Sequence, residues 1–102
     1  MSGLQVKSLD IVSADLRRGA QFYDQIETGL GTYFLDSISA DIESLQIFGG
    51  VHSQVFGFHR MPAKRFPYSI YYHLLGNTVI VVGVLAMRKD PGKLQSDLSI
   101  RT

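Results

Sequence analysis

The chain has 102 residues, 45% of them apolar and 19% charged, with a formal net charge of +1 and no cysteine. That length fits one domain with a real core and excludes two, while the composition excludes a disordered chain; without cysteine there are no disulfides, thiolate nucleophiles or cysteine-based zinc sites. Residues 1–50 hold three basic and seven acidic side chains, and residues 51–102 hold seven basic and two acidic ones. The C-terminal half is therefore expected to meet nucleic acid or an acidic protein surface, unless the bias only reflects acids on helices and bases bordering strands. No apolar core follows a basic start, and the longest apolar run, Val79 to Met87, is about half of what a membrane helix needs. The expectation is a cytoplasmic protein, neither exported nor membrane-spanning.

In chain order, Leu4 to Asp10 reads as a first strand, with Leu4 and Val6 alternating against Gln5 and Lys7. Ser13 is expected to cap a helix from Ala14 to about Glu27, with Asp15 in the first turn complementing the helix dipole. Leu16, Ala20 and Tyr23 then form one apolar stripe, leaving Arg17, Arg18, Gln21 and Asp24 to solvent. Gly29-Leu30-Gly31 stops that helix, and Thr32 starts a second one from Tyr33 to about Ile47. Its repeat Phe34, Ile38, Ile42, Leu45 faces inward while Asp36, Asp41 and Glu43 face out. So short a connection makes the two helices an antiparallel αα-hairpin with one apolar and one acidic side.

Gln54 to Met61 reads as one strand, followed by a Pro62-Ala63-Lys64 loop. The next stretch, KRFPYSIYYHLLGNTVIVVGVLAMRKDP, reads as two strands joined at Gly76-Asn77, a dipeptide that tolerates the positive φ of a tight turn. A hairpin centred there sets Phe66 opposite Met87, Tyr68 opposite Leu85, Tyr72 opposite Val81 and Leu74 opposite Val79. Ser69, Tyr71 and His73 take the other face. At the open end Arg65 faces Arg88, an unfavourable like-charge pair that either awaits an anionic partner or splays into water. Val79 to Ala86 carries no polar residue, so it is expected to be covered on both faces and both edges as the central strand. After residue 92 the polar tail KLQSDLSIRT is expected to form one loose helical turn or to stay disordered, giving a single domain over residues 1–92 and a tail over 93–102. The economical arrangement is α+β: strand, helix, helix and three strands, the αα-hairpin packed on a small, mostly antiparallel twisted sheet.

The segment ADLRRGAQFYDQIETGLGTYFLDSISADIESL followed by GFHRMPAKRFPYSIYYHLLGNTVIVVGVLAMRKDP resembles the ParE branch of the RelE/ParE superfamily, the toxins of bacterial type II toxin–antitoxin modules, also called plasmid stabilisation proteins. The resemblance covers roughly residues 10–92 and rests on three features: the FYD…GLG…FLD helical pattern, the RFPYSIYY strand, and the ending VLAMRKDP. It implies the αα-hairpin-on-sheet fold, a cognate antitoxin as partner, and no cofactor. It also implies one of two actions. ParE-like members bind DNA gyrase and perform no chemistry themselves, whereas RelE-like members cleave messenger RNA on the ribosome with basic side chains and a Tyr or His near the C-terminus.

Metal-free phosphodiester cleavage needs a proton acceptor, a proton donor and positive charge on the transition state. Arg60, Lys64, Arg65 and Arg88 supply charge, but neither Tyr nor His follows Arg88. His73 is predicted near the turn, far from the arginine end. His52, His59 and His73 lack metal-site spacing, so no metal is expected. Tyr68 and Tyr72 fall on the buried face, which leaves Tyr71 as the free tyrosine. The sequence therefore favours binding over cleavage, through Arg60, Lys64, Arg65, Tyr71, Arg88, Lys89 and Lys93, with antitoxin and gyrase as partners and the ribosome with its messenger as the alternative. A third reading is a degenerate module that binds antitoxin without harming the cell, since Met87 stands where related sequences often carry a polar residue.

Overall fold

Residues 3–101 are described by a computed structural model. The elements are β1 (Gln5–Ser8), α1 (Ile11–Ile26), α2 (Leu30–Phe48), β2 (Gln54–Val55), β3 (Phe58–Pro62), β4 (Tyr68–Leu75), β5 (Thr78–Ala86) and α3 (Pro91–Arg101). They form an α+β domain whose five-stranded sheet has the order β1-β5-β4-β3-β2, with β1 parallel to β5 and every other pair antiparallel.

Both helices of the α1–α2 pair are longer than their caps imply. Helix α1 starts at Ile11 after Asp10, so Ser13 lies inside it, and α2 starts at Leu30 after Gly29, whose φ is 94°. The pair is antiparallel and close. A Cβ on Gly19 would stand 2.5 Å from the Phe34 ring, and one on Gly31 would stand 2.5 Å from the carbonyl oxygen of Ala20. Asp24 closes the connection, its Oδ1 accepting from the amides of Gly29 and Gly31.

The Gly76-Asn77 hairpin forms as expected, with Gly76 at φ 59°, Leu74 opposite Val79 and Tyr72 opposite Val81. Beyond Tyr72 the register departs from the expected one. A bulge between Tyr71 and Tyr72 pairs Tyr71 with Gly83, Ser69 with Leu85 and Tyr68 with Ala86. Gly83 sits at the shift and faces α3, since a Cβ there would meet Arg101 Nη1 at 2.8 Å and Leu98 at 3.6 Å. Both Val82 and Gly83 therefore face α3, and every later β5 residue is displaced by one. Leu85 lies on the α3 face rather than opposite Tyr68. The ladder starts at Tyr68, so neither Arg65 nor Arg88 is in it and no like-charge pair forms.

Two further expectations fail. Gln54 to Met61 is two strands, split by a turn at Phe56 (φ 53°) and Gly57 (φ 84°). The segment expected as a loose tail is the eleven-residue helix α3. Asp90 caps it, its Oδ2 accepting from the amides of Gly92 and Lys93, and Pro91 occupies the first helical position.

Strand β5 is covered on both edges and both faces, although β4 holds the middle of the sheet. Against α1 and α2 the sheet buries Ile70, Tyr72, Val79, Val81 and Val84 beneath Phe34, Ile38 and Leu45. The opposite face buries Phe58, Tyr71, Val82 and Leu85 beneath Leu94 and Leu98 of α3. Among the described residues, no helix is long and apolar enough to cross a membrane.

Candidate functional site

The most connected polar residue is Asp15. Read as a dipole partner on the first turn, it is instead 2% exposed. Its Oδ2 accepts from the Val84 amide at 2.9 Å and from Arg101 Nη1 at 2.6 Å, while Oδ1 accepts from Arg101 Nη2 at 2.9 Å and Arg18 Nη2 at 2.6 Å. One carboxylate thus ties α1, β5 and α3 together and is satisfied by the bidentate geometry that a guanidinium offers. Asp41, expected outside, is likewise only 4% exposed. It accepts from the Lys64 amide at 3.1 Å and fixes the loop entering β4.

Around this frame most of the basic residues of the predicted set line three clefts, with Lys89 shared by the first two. The first, of about 430 Å³, lies between α1 and the end of β5 and includes Asp15, Arg18, Phe22, Tyr68, Arg88, Lys89, Asp97 and Arg101. Arg101 and Arg18 are held by Asp15, and Lys89 by Asp97 at 2.9 Å. Arg88 forms no ion pair among the described residues. Burial pushes the Tyr23 and Tyr68 phenols above their ordinary range, and the positive charge of Arg88 partly offsets this. The hydrogen bond from Lys89 is the main reason that the Asp97 carboxyl sits below its ordinary value.

A second cleft, of about 300 Å³, brings together Arg60, Tyr71 and Lys89 from the predicted set, with Phe56, Met87 and Leu94 around them. Tyr71, expected to be free, is 2% exposed and packed beneath α3, so it lines the floor rather than offering a ring to stack on. Lys64 lies in a third cleft, with Asp41, Phe48, His52 and Met61. Arg65 is exposed on the loop before β4 and Lys93 is exposed on the first turn of α3. Arg65 lines none of the three clefts, nor does Lys93.

The histidines have structural partners. The Gly50 amide donates to the Tyr72 hydroxyl at 2.9 Å, and that hydroxyl lies 2.5 Å from His52 Nδ1. His59 Nδ1 donates to the carbonyl of His52 at 2.7 Å and stacks on the Tyr72 ring. Burial, and secondarily His59, lowers the pKa of His52. His73 lies against Phe58. Together these contacts pin the 50–53 segment to β3 and β4. Among the described residues no group of three or more His, Cys, Asp or Glu is placed to hold a metal.

Sequence reasoning missed Asp15, Arg18, Arg101 and Phe56. The Leu94, Leu98, Arg101 spacing behind Asp90-Pro91 carried a helix signal that would have found Arg101. Nothing local marks a helical aspartate as the partner of an arginine 86 positions away.

No protein-family model and no curated protein matches the chain. A solved structure does. One chain of the chromosomal ParDE TA system from P. aeruginosa superposes with a TM-score of 0.73 at 17% identity, over 81% of this chain and 95% of that one. At that identity the likeness is one of fold: this chain shares the α+β architecture of a component of a ParDE toxin–antitoxin system, two helices roofing a mostly antiparallel sheet.

Proposed function

We propose that the protein is the ParE-like toxin of a bacterial type II toxin–antitoxin pair, acting in the cytoplasm by binding DNA gyrase and neutralised by a cognate antitoxin. The observation that carries this reading is the fold likeness to a ParDE system over nearly the whole of the neighbouring chain. The distribution of charge supports binding over cleavage. A nuclease would converge Arg60, Lys64, Arg65 and Arg88 on one phosphate, yet Arg60, Lys64 and Arg88 line three separate clefts. His52 and His59 are also engaged with Tyr72 and the 50–53 backbone.

A direct test adds purified protein to a gyrase supercoiling reaction and, separately, to a translating extract. Supercoiling is expected to stop while messenger stays intact. Messenger cut within ribosome-bound codons, with gyrase unaffected, establishes the RelE-type endonuclease instead. Full growth of cells expressing the protein without antitoxin, with gyrase unaffected in vitro, establishes the degenerate module.

A further inference from the structure

The two-residue turn between β2 and β3 needs positive φ at both positions, a demand that Asn, Asp or Gly meets at low strain. Gly57 meets it. Phe56 does not, yet it holds φ 53°, and the residue is 42% exposed. An aromatic residue kept in a left-handed conformation and exposed to water at that place is a backbone outlier, and such outliers concentrate at ligand clamps and other functional sites. Beside it, Met87 is 48% exposed. Phe56 and Met87 form the rim of the second cleft, Tyr71 and Leu94 its buried apolar floor, and Arg60 its unpaired charge, while Lys89, which also reaches it, is paired with Asp97 at 2.9 Å. No carboxylate lines this cleft, in contrast to the first, where Asp15 and Asp97 occupy the wall. Arg60 makes no ion pair among the described residues.

We propose that this cleft receives an acidic peptide segment of a protein partner. An apolar side chain of that segment enters between Phe56 and Met87 over Leu94, and a flanking carboxylate meets Arg60. Aromatic and arginine anchors around a desolvated pocket are the usual centre of a protein interface. One unpaired cation over an apolar floor does not make the continuous basic track that a nucleic-acid backbone follows, and the unpaired Arg88 lies in a different cleft. The site stands whether or not gyrase is the target, so its failure and that of the toxin reading are separate results.

The test is amide-shift mapping on the full-length protein with a synthetic glutamate-rich peptide carrying a central leucine pair. A lysine-for-glutamate peptide and a short single-stranded RNA serve as comparisons. Saturable shifts at Phe56, Arg60, Met87 and Leu94 are expected with the acidic peptide alone. Phe56→Asn separates binding from folding, because asparagine accepts the positive φ. It is expected to raise or preserve the melting temperature while weakening the peptide at least about tenfold, as loss of an interface anchor does. The proposal is overturned by no binding of the acidic peptide, by shifts centred on Arg88, or by tighter binding of RNA to the same residues. A Phe56→Asn protein that melts lower and binds the peptide unchanged overturns it as well.

Discussion

The guanidinium of Arg101 grips the carboxylate of Asp15 through two nitrogen–oxygen contacts of 2.6 and 2.9 Å, with the two side chains 10% and 0% exposed. This pair joins the first helix to the last across β5, where Val84 donates to the same carboxylate. Replacing Asp15 by alanine leaves a nearly buried guanidinium and a backbone amide without their acceptor. Removing one partner of a buried pair costs about 3–5 kcal/mol, so Asp15→Ala is expected to lose that order of stability in urea unfolding. Arg18→Ala, acting on the exposed arm of the same carboxylate, is expected to cost under about 1 kcal/mol. Equal losses would refute the assignment of Arg101 as the principal partner.

Sequence legibility follows the range of the interactions. The hairpin at Gly76-Asn77 was readable because its turn chemistry and the alternation beside it are local, and Tyr72 and Leu74 meet the partners that local symmetry gives them. The register beyond was not, because at the bulge Val82 and Gly83 both turn toward α3, an element that the local pattern of the hairpin does not contain. Asp41 follows the same rule: on the helix it looks like a surface acid, and only the returning Lys64 amide makes it internal. Phe56 hid the division between β2 and β3, since phenylalanine signals a strand rather than a left-handed turn. Of the candidate site, the types of residue were legible and their grouping was not, because α3 and the bulge decide which basic side chains share a cleft.

Acid is expected to loosen the 50–53 segment through His52. Its folded pKa lies below the ordinary value, while in the unfolded chain it returns to about 6.5. The stability it contributes is therefore complete above about pH 6.5 and is lost as pH falls toward the folded pKa, since only the unfolded chain takes up the proton readily. Urea midpoints measured from pH 7.5 down to 5.5 should fall, and less steeply in His52→Gln. Asp97, also lowered, acts in the carboxylate range well below this window. An unchanged slope in the variant would remove His52 as the cause.

Arg88 projects from the turn after β5 without an ion pair among the described residues, beside Phe22, Tyr23 and Tyr68. Its removal breaks no buried network, so Arg88→Ala is expected to change stability by no more than about 0.5 kcal/mol. Because the cation partly counters the upward push of burial on the two phenols, the variant should titrate tyrosine at higher pH in alkaline spectrophotometry. Under the toxin function proposed above, the same variant is expected to relieve growth inhibition in cells. An unfolded circular dichroism spectrum would assign Arg88 a structural role instead.

Helix α3 decides how much of the sheet a partner can reach, and Leu98 tests whether it is fixed. The Leu98 side chain is 0% exposed among Phe58, Tyr71, Val82 and Leu85. Truncating a buried leucine removes both its transfer free energy and its packing, at about 2–5 kcal/mol. Leu98→Ala is expected to lower the urea-derived stability by that order and to raise hydrogen exchange at amides of β4 and β5 facing α3. A loose polar tail would predict less than about 0.5 kcal/mol, so one unfolding curve separates the two. With α3 fixed, the apolar face beneath it stays closed, and partners are left the cleft edges, where Phe56, Arg60 and Met87 stand on one side and Arg88 on the other.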